Sequence, residues 1–174
     1  MVEKVLSVEI RSAVVADLEA ITVVHCQAAL VGFAEIFPPA ATKPTPASLR
    51  PRWHELVTDP VASVFVAETT SVVGCVVVRE EPTVPSGVLL DRLYVHPDWW
   101  GNGIGSLLHD VAIDTAAALG HDAINLWVLE SNQWAKGMYE RRGWRRVPDR
   151  TLANEPDTVY DVLYQRSVSG TKPD

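Results

Sequence analysis

The sequence predicts an α/β domain in which a mixed sheet carries helices, and three features point there. Strand-like and helix-like runs follow in the order β-α-α-β-β-β-α-β-α-β-β, with no internal repeat and no low-complexity block. Two β-branched runs, 63–68 and 72–79, flank Thr69-Thr70-Ser71 in the pattern of a hairpin. A glycine-rich turn at 101–105 leads into a run whose Ile104, Leu107, Leu108, Val111 and Ala118 share one helical face. At 174 residues, 47% hydrophobic and 21% charged, the chain suits a single packed domain.

Taken in order, residues 8–11 read as a short opening strand. Residues 17–29 put Leu18, Ile21, Ala28 and His25 on one helical face. The stretch 33–45 is broken by prolines and cannot be regular. Thr45 followed by Pro46 has the form of an N-cap with a first-turn proline, opening a short helix through Trp53 and Leu56. Pro51 must then lie in its opening turn or kink it. Residues 87–95 extend the hairpin to a meander, and the helix from Ile104 stops at Gly120. An apolar strand at 123–128 follows, and Asn132 can cap a helix that ends at Gly143. Strands at 144–147 and 158–166 complete the sheet, the last of them on an edge. The domain is expected to span residues 1–166, with 167–174 a flexible polar tail.

A formal net charge of -7 argues against nucleic acid as a partner, because phosphate backbones need a basic face. It suits a cationic acceptor, and equally suits solubility alone. Cys26 and Cys75 lie in apolar contexts with no CxxC pair and no histidine cluster. Neither a zinc site nor a disulfide framework is indicated, and the pattern fits buried thiols in a reducing cytoplasm. The opening MVEKVLSVEIRSA lacks the shape of a signal peptide, and no stretch approaches the roughly 20 apolar residues of a membrane span.

The most informative segment is LYVHPDWWGNGIGSLL, residues 93–108. Glycines at 101, 103 and 105 remove side chains so that backbone N–H groups and a helix N-terminus can converge on an anion such as a diphosphate. A tight turn with no ligand explains the glycines alone equally well. Two phosphate loops are excluded. The dinucleotide pattern GxGxxG would need Gly where Ser106 or Leu108 stands, and GK followed by Ser or Thr occurs nowhere.

Together with LWVLESNQWAKGMYERRGW, residues 126–144, this segment resembles the GNAT superfamily of acyl-CoA-dependent N-acetyltransferases. Residues 93–108 are similar to its acyl-CoA motif, a hydrophobic strand, a Pro and an [RQ]xxGxG loop before a helix. Residues 126–144 are similar to the block that follows in the family, here Asn132, Ala135, Tyr139, Gly143 and Trp144. IRSAVVADLEAI resembles the usual opening strand and helix. The loop departs from the pattern at Trp100, where the family usually has Arg or Gln. The resemblance implies a GNAT-like mixed, mainly antiparallel sheet with a splayed strand pair and helices on both faces. It further implies acetyl-CoA as co-substrate, no metal, and an amine acceptor. A homodimer through exposed strands is a common outcome for such folds.

Residue by residue, the resemblance assigns the coenzyme to Leu93, Tyr94 and Val95, to Gly101, Asn102, Gly103, Ile104, Gly105 and Ser106, and to Asn132 and Tyr139. Backbone groups at Leu93 and Val95 would hold the pantetheine arm as an added strand and polarise the acetyl carbonyl. Tyr139 would protonate the departing thiolate, since a phenol with a pKa near 10 keeps its proton at neutral pH. Asp91, on the strand entering the loop, is the first candidate for general base. Glu35, Glu80 and Glu81 compete with it, and each could equally be a solvated charge. Phe33, Glu35 and Trp53, with Phe37 and His25, fall where this family forms one wall of the acceptor site. Arg141, Arg142, Arg145 and Arg146 make a basic patch that reads more readily as a solvated helix end than as a phosphate contact. The reading is an N-acetyltransferase acting by direct attack in a ternary complex. A non-catalytic acyl-CoA-binding or regulatory module, or use of another acyl-CoA, is the alternative.

Overall fold

The computed structural model describes residues 7–154 and 159–169. Its strands are β1 (Glu9–Ser12), β2 (Ala62–Glu68), β3 (Val72–Glu80), β4 (Val88–Val95), β5 (Ala123–Leu129), β6 (Arg145–Asn154) and β7 (Val159–Ser167). Its helices are α1 (Leu18–Gly32), α2 (Pro46–Thr58), α3 (Ile104–Ala118) and α4 (Gln133–Arg141). The strands form one sheet in the order β1-β2-β3-β4-β5-β7-β6, antiparallel throughout except for the parallel pair β4–β5. The expected mixed, mainly antiparallel sheet is therefore present.

Period-two alternation along the strands feeds two cores. On one face Val76, Val78, Leu90 and Leu126 pack with Leu108 and Ala112 of α3 and with Trp144. On the other, Val66, Cys75 and Val77 pack with Leu18, Ile21 and Val24 of α1 and with Trp53 and Leu56 of α2. We call these the α3 face and the α1 face. The 18 residues Val15–Gly32 are long and apolar enough to cross a membrane by composition, beyond the sequence expectation, but half of that segment is buried in the α1-face core. Both cysteines are buried and free.

Three details differ from the sequence reading. Thr45 does cap α2, its Oγ1 accepting from Ser48 N–H at 3.1 Å, but Pro51 lies within the helix, past the first turn. The last strand is not an edge: β7 lies between β5 and β6, because the β6–β7 hairpin turns inward against β5. The edge strand β6 runs on past Pro148 through a register shift between Arg146 and Thr151, the setting in which a sheet tolerates proline. Residues 167–169 of the expected tail remain held, with Val168 N–H donating to the Asp122 carbonyl at 3.0 Å, and residues 170–174 lie outside the described residues.

Candidate active site

The site begins with a bulge. Strands β4 and β5 pair only at Leu89 with Asn125 and Leu90 with Leu126. Beyond Leu90, Val77 faces Arg92 while Val78 faces Leu90, so Asp91 is one extra residue on β4. A bulge bends its strand and sharpens the twist, and here β4 parts from β5. Asp91 is held by two guanidiniums, Arg79 Nη2 on Oδ1 at 3.0 Å and Arg92 Nη1 on Oδ2. The bulge also resets the alternation. Leu93 and Val95 turn to the α3 face, while Tyr94 stacks on His25 with ring centroids 3.9 Å apart and the Arg92 guanidinium lies 5.8 Å over the Trp53 ring.

The backbone of β4 past the bulge can be read from one bond. His96 N–H donates to Val73 C=O at 2.8 Å, which makes Val95 and Gly74 a pair without mutual hydrogen bonds. Alternation makes Leu93 and Val76 another such pair. Leu93 and Val95 therefore turn their own N–H and C=O groups away from β3 and into the splay. The resulting cleft, about 1180 Å³, is lined by β4 from Leu89 to Val95, β5 from Leu126 to Leu129, the glycine loop, α4 and the end of α1.

At the loop, Gly101 and Gly103 have φ of +79° and +77°, and a Cβ at either would meet nothing within 4 Å. Glycine is needed there for conformation, and its missing side chains leave open space above the first turn of α3. Ser106 and Leu107 amides bond to the Gly103 carbonyl at 3.0 and 3.1 Å. Ile104 and Gly105 start the helix where no i−4 carbonyl exists to receive their N–H groups. Gly101, Gly103, Ile104, Gly105 and Ser106 all line the cleft. Asn102 does not; its amide donates to the carbonyls of Trp99 (3.2 Å) and Trp100 (3.1 Å) and so shapes the loop. The Trp100 indole N–H donates to the Val95 carbonyl at 2.7 Å, while its ring remains 47% exposed.

What seats α3 so close to the strands is Gly74. A Cβ there would fall 2.9 Å from Leu108 Cδ1 and 3.2 Å from Ile104 Cγ2. Gly74→Ala is expected to destabilise the fold by about 1–3 kcal/mol through overpacking, read by urea denaturation. A variant as stable as the parent would show that α3 has slack.

Helix α4 supplies the other wall. The Asn132 side chain caps it by accepting from Ala135 N–H at 3.1 Å, and the same residue lines the cleft. Trp134, Met138 and Arg142 follow at i, i+4 and i+8, with Ala135 and Tyr139 beside them, and all five line the cleft. Tyr139 packs edge-to-face on Trp144 at 5.7 Å, and burial pushes its phenol up to about 12, against a smaller opposing effect of Arg142.

On the α1 face, Phe33 and Phe37 line the cleft and meet at 6.2 Å, but the other expected acceptor residues do not reach it. Trp53 is 1% exposed, a core residue under α1 whose indole N–H donates to His25 Nδ1 at 3.0 Å. Burial, aided by Arg92, pushes His25 down to about 4, so it is a neutral core histidine. Glu35 is exposed and outside the cleft lining. The sequence reading missed Trp127, Leu152 and Asp161, which do line it. Register places them together: Trp127 opposes Leu163, and Asp161 lies between Leu129 and Leu152 across β5, β7 and β6. Only strand order brings these three to the cleft that Phe33 also lines, and no local pattern marks them.

A model of the acetyltransferase (GNAT) family matches residues 29–144. No curated protein matches the chain. Among solved structures, the PaiA N-acetyltransferase of Thermoplasma acidophilum in complex with coenzyme A is 18% identical, with a TM-score of 0.70 over 92% of this chain and 99% of that one. The YncA acetyltransferase of Salmonella typhimurium, solved with its cofactor acetyl-CoA, is 20% identical, with a TM-score of 0.68 over 96% and 98%. The ribosomal-protein-S18-alanine N-acetyltransferase of Escherichia coli is 18% identical, with a TM-score of 0.67 over 97% and 98%.

Proposed function

The chain belongs to the GNAT family of acetyltransferases, and on that premise we propose that it moves an acetyl group from acetyl-CoA to a primary amine by direct attack in a ternary complex. The observation that carries this reading is the pair of outward-turned backbone units, Leu93 and Val95, in a splay that opens beside a glycine loop and Tyr139. The cleft is large enough for an extended thioester, and its loop has backbone donors and free space where a diphosphate would sit.

Each part of the chain then has a role. The N–H and C=O of Leu93 and the N–H of Val95 bind the pantetheine arm as an added strand, the Val95 carbonyl being taken by the Trp100 indole, and an amide from this edge polarises the thioester carbonyl. Tyr139, neutral because burial raises its phenol, donates its proton to the departing thiolate and is restored by the proton that the attacking amine sheds on becoming an amide. Asp91 is not the base that the sequence suggests: both oxygens engage arginines, so taking a proton would break an ion pair, and its role is to hold the bulge that opens the splay.

The acceptor enters from the α1 face, where Phe33, Phe37, Trp127, Leu152 and Asp161 are among the residues that line the cleft. An amine on an aromatic or branched apolar body fits such a wall better than a polyamine, which needs several carboxylates. The test is coenzyme A release with an amine panel of arylalkylamines, polyamines and peptide N-termini. Arylalkylamines are expected to turn over best, and Phe37→Ala to raise their KM about ten-fold with kcat little changed, in line with losing an aromatic contact. Tight acetyl-CoA binding with no release across the panel would favour a non-catalytic acyl-CoA module instead.

A further inference from the structure

The glycine loop brings no cation to the phosphate site. Trp100 stands where a charged or amide side chain would reach a diphosphate, and its one polar hydrogen is engaged by Val95 C=O. Asn102 is turned onto the loop's own carbonyls, and the one charged side chain between Pro97 and Ser106 is the exposed Asp98. A guanidinium nevertheless reaches the first turn of α3 from Arg142, the residue that caps the C-terminus of α4. Arg142 lines the cleft, its Nη2 on Ser106 Oγ in the first turn of α3 and its Nη1 3.5 Å from Asp110 Oδ1.

The histidine beneath fixes how Arg142 is held. Trp144 Nε1–H donates to His109 Nε2 at 2.9 Å, so the neutral ring carries its proton on Nδ1. That N–H points at Asp110 Oδ1, 3.2 Å away, and the 3.2 Å approach of Arg142 Nη1 to the same ring nitrogen is a contact between two donors. Among the described residues Arg142 is thus steadied by Ser106 and a half-exposed Asp110, which leaves donors of its five-hydrogen fork for a ligand.

We propose that Arg142 binds the diphosphate of the acyl-CoA donor, supplying from the C-cap of α4 the side-chain contact that the loop lacks at Trp100. The proposal rests on the acetyl-CoA reading above. Ser106 is the positioning residue, holding the guanidinium over the N-terminal amides of α3, so that fixed dipoles and one full charge act on the same anion.

Calorimetric titration of the full chain with coenzyme A, dephospho-coenzyme A and pantetheine tests it, on wild type, Arg142→Ala, Arg142→Lys and Arg142→Gln, with thermal midpoints as the folding control. Arg142→Ala is expected to weaken both nucleotide ligands about ten-fold or more, the size of one lost charge-assisted hydrogen bond, and to leave pantetheine unchanged. Arg142→Lys recovers part of the loss, and Arg142→Gln, which keeps a donor for Ser106 without the charge, recovers little. Three results overturn the proposal: unchanged coenzyme A affinity, an equal loss for pantetheine, or a loss for coenzyme A that dephospho-coenzyme A does not share, which would move the contact to the 3′-phosphate. Should wild type bind none of the three ligands, the acetyl-CoA reading itself fails.

Discussion

Tyr139→Phe is expected to lower kcat by roughly 10²–10³, the scale of losing a positioned general acid, while acetyl-CoA affinity stays within about two-fold. The substitution keeps the ring that packs edge-to-face on Trp144 and removes only the hydroxyl. Because burial lifts that phenol to about 12, the wild-type residue holds its proton throughout the usable range, and the deficit should be the same from about pH 6 to 9. Steady-state release of coenzyme A against pH, with binding measured separately, checks both statements. A Phe variant with near-wild-type turnover would make Tyr139 a wall residue only, and thiolate departure would then need no protein acid.

The second large effect is loss of stability in mild acid. Two histidines are buried as neutral acceptors of tryptophan N–H groups, His25 under Trp53 and His109 under Trp144. Burial pushes His25 down to about 4, with help from Arg92. Burial does the same to His109, where the Asp110 hydrogen bond opposes it and Arg142 and Arg166 reinforce it. An unfolded histidine titrates near 6.5, so below that pH the unfolded chain binds protons that the folded chain refuses. Stability is full above about pH 6.5 and falls as the pH drops toward 4, by roughly 2 kcal/mol per histidine at pH 5. Asp17, held low chiefly by its Arg11 hydrogen bond, adds a loss of the same sign further into acid. The thermal midpoint should drop by about 10 °C between pH 7 and pH 5. A flat profile over that interval would mean that both rings take up protons in the folded protein as readily as in the unfolded chain.

Much of the cleft wall formed by the glycine loop and α4 is legible in the sequence because its signals are local. Glycines at 101 and 103 sit at positive φ, Asn132 caps α4, and the spacing Asn132–Ala135–Tyr139 keeps those residues on one face of a single helix. The cleft wall on the α1 face is legible only at Phe33 and Phe37. Trp53 misleads because an aromatic residue on an amphipathic helix looks the same in sequence whether it faces a pocket or a core. Asp91 stands out as a residue but not as a bulge, since a register shift depends on its partner strand and leaves no local mark.

The sequence by itself determined the order of elements, the glycine loop and the family, because periodicity, glycine chemistry and capping are properties of neighbouring residues. Only the tertiary structure decided which carboxylate is engaged by arginines and which strand lies at the edge. It alone brought Arg142 to Ser106, 36 residues away along the chain. Those are contacts between distant segments, fixed by strand order and helix packing, and nothing short of the assembled sheet specifies them.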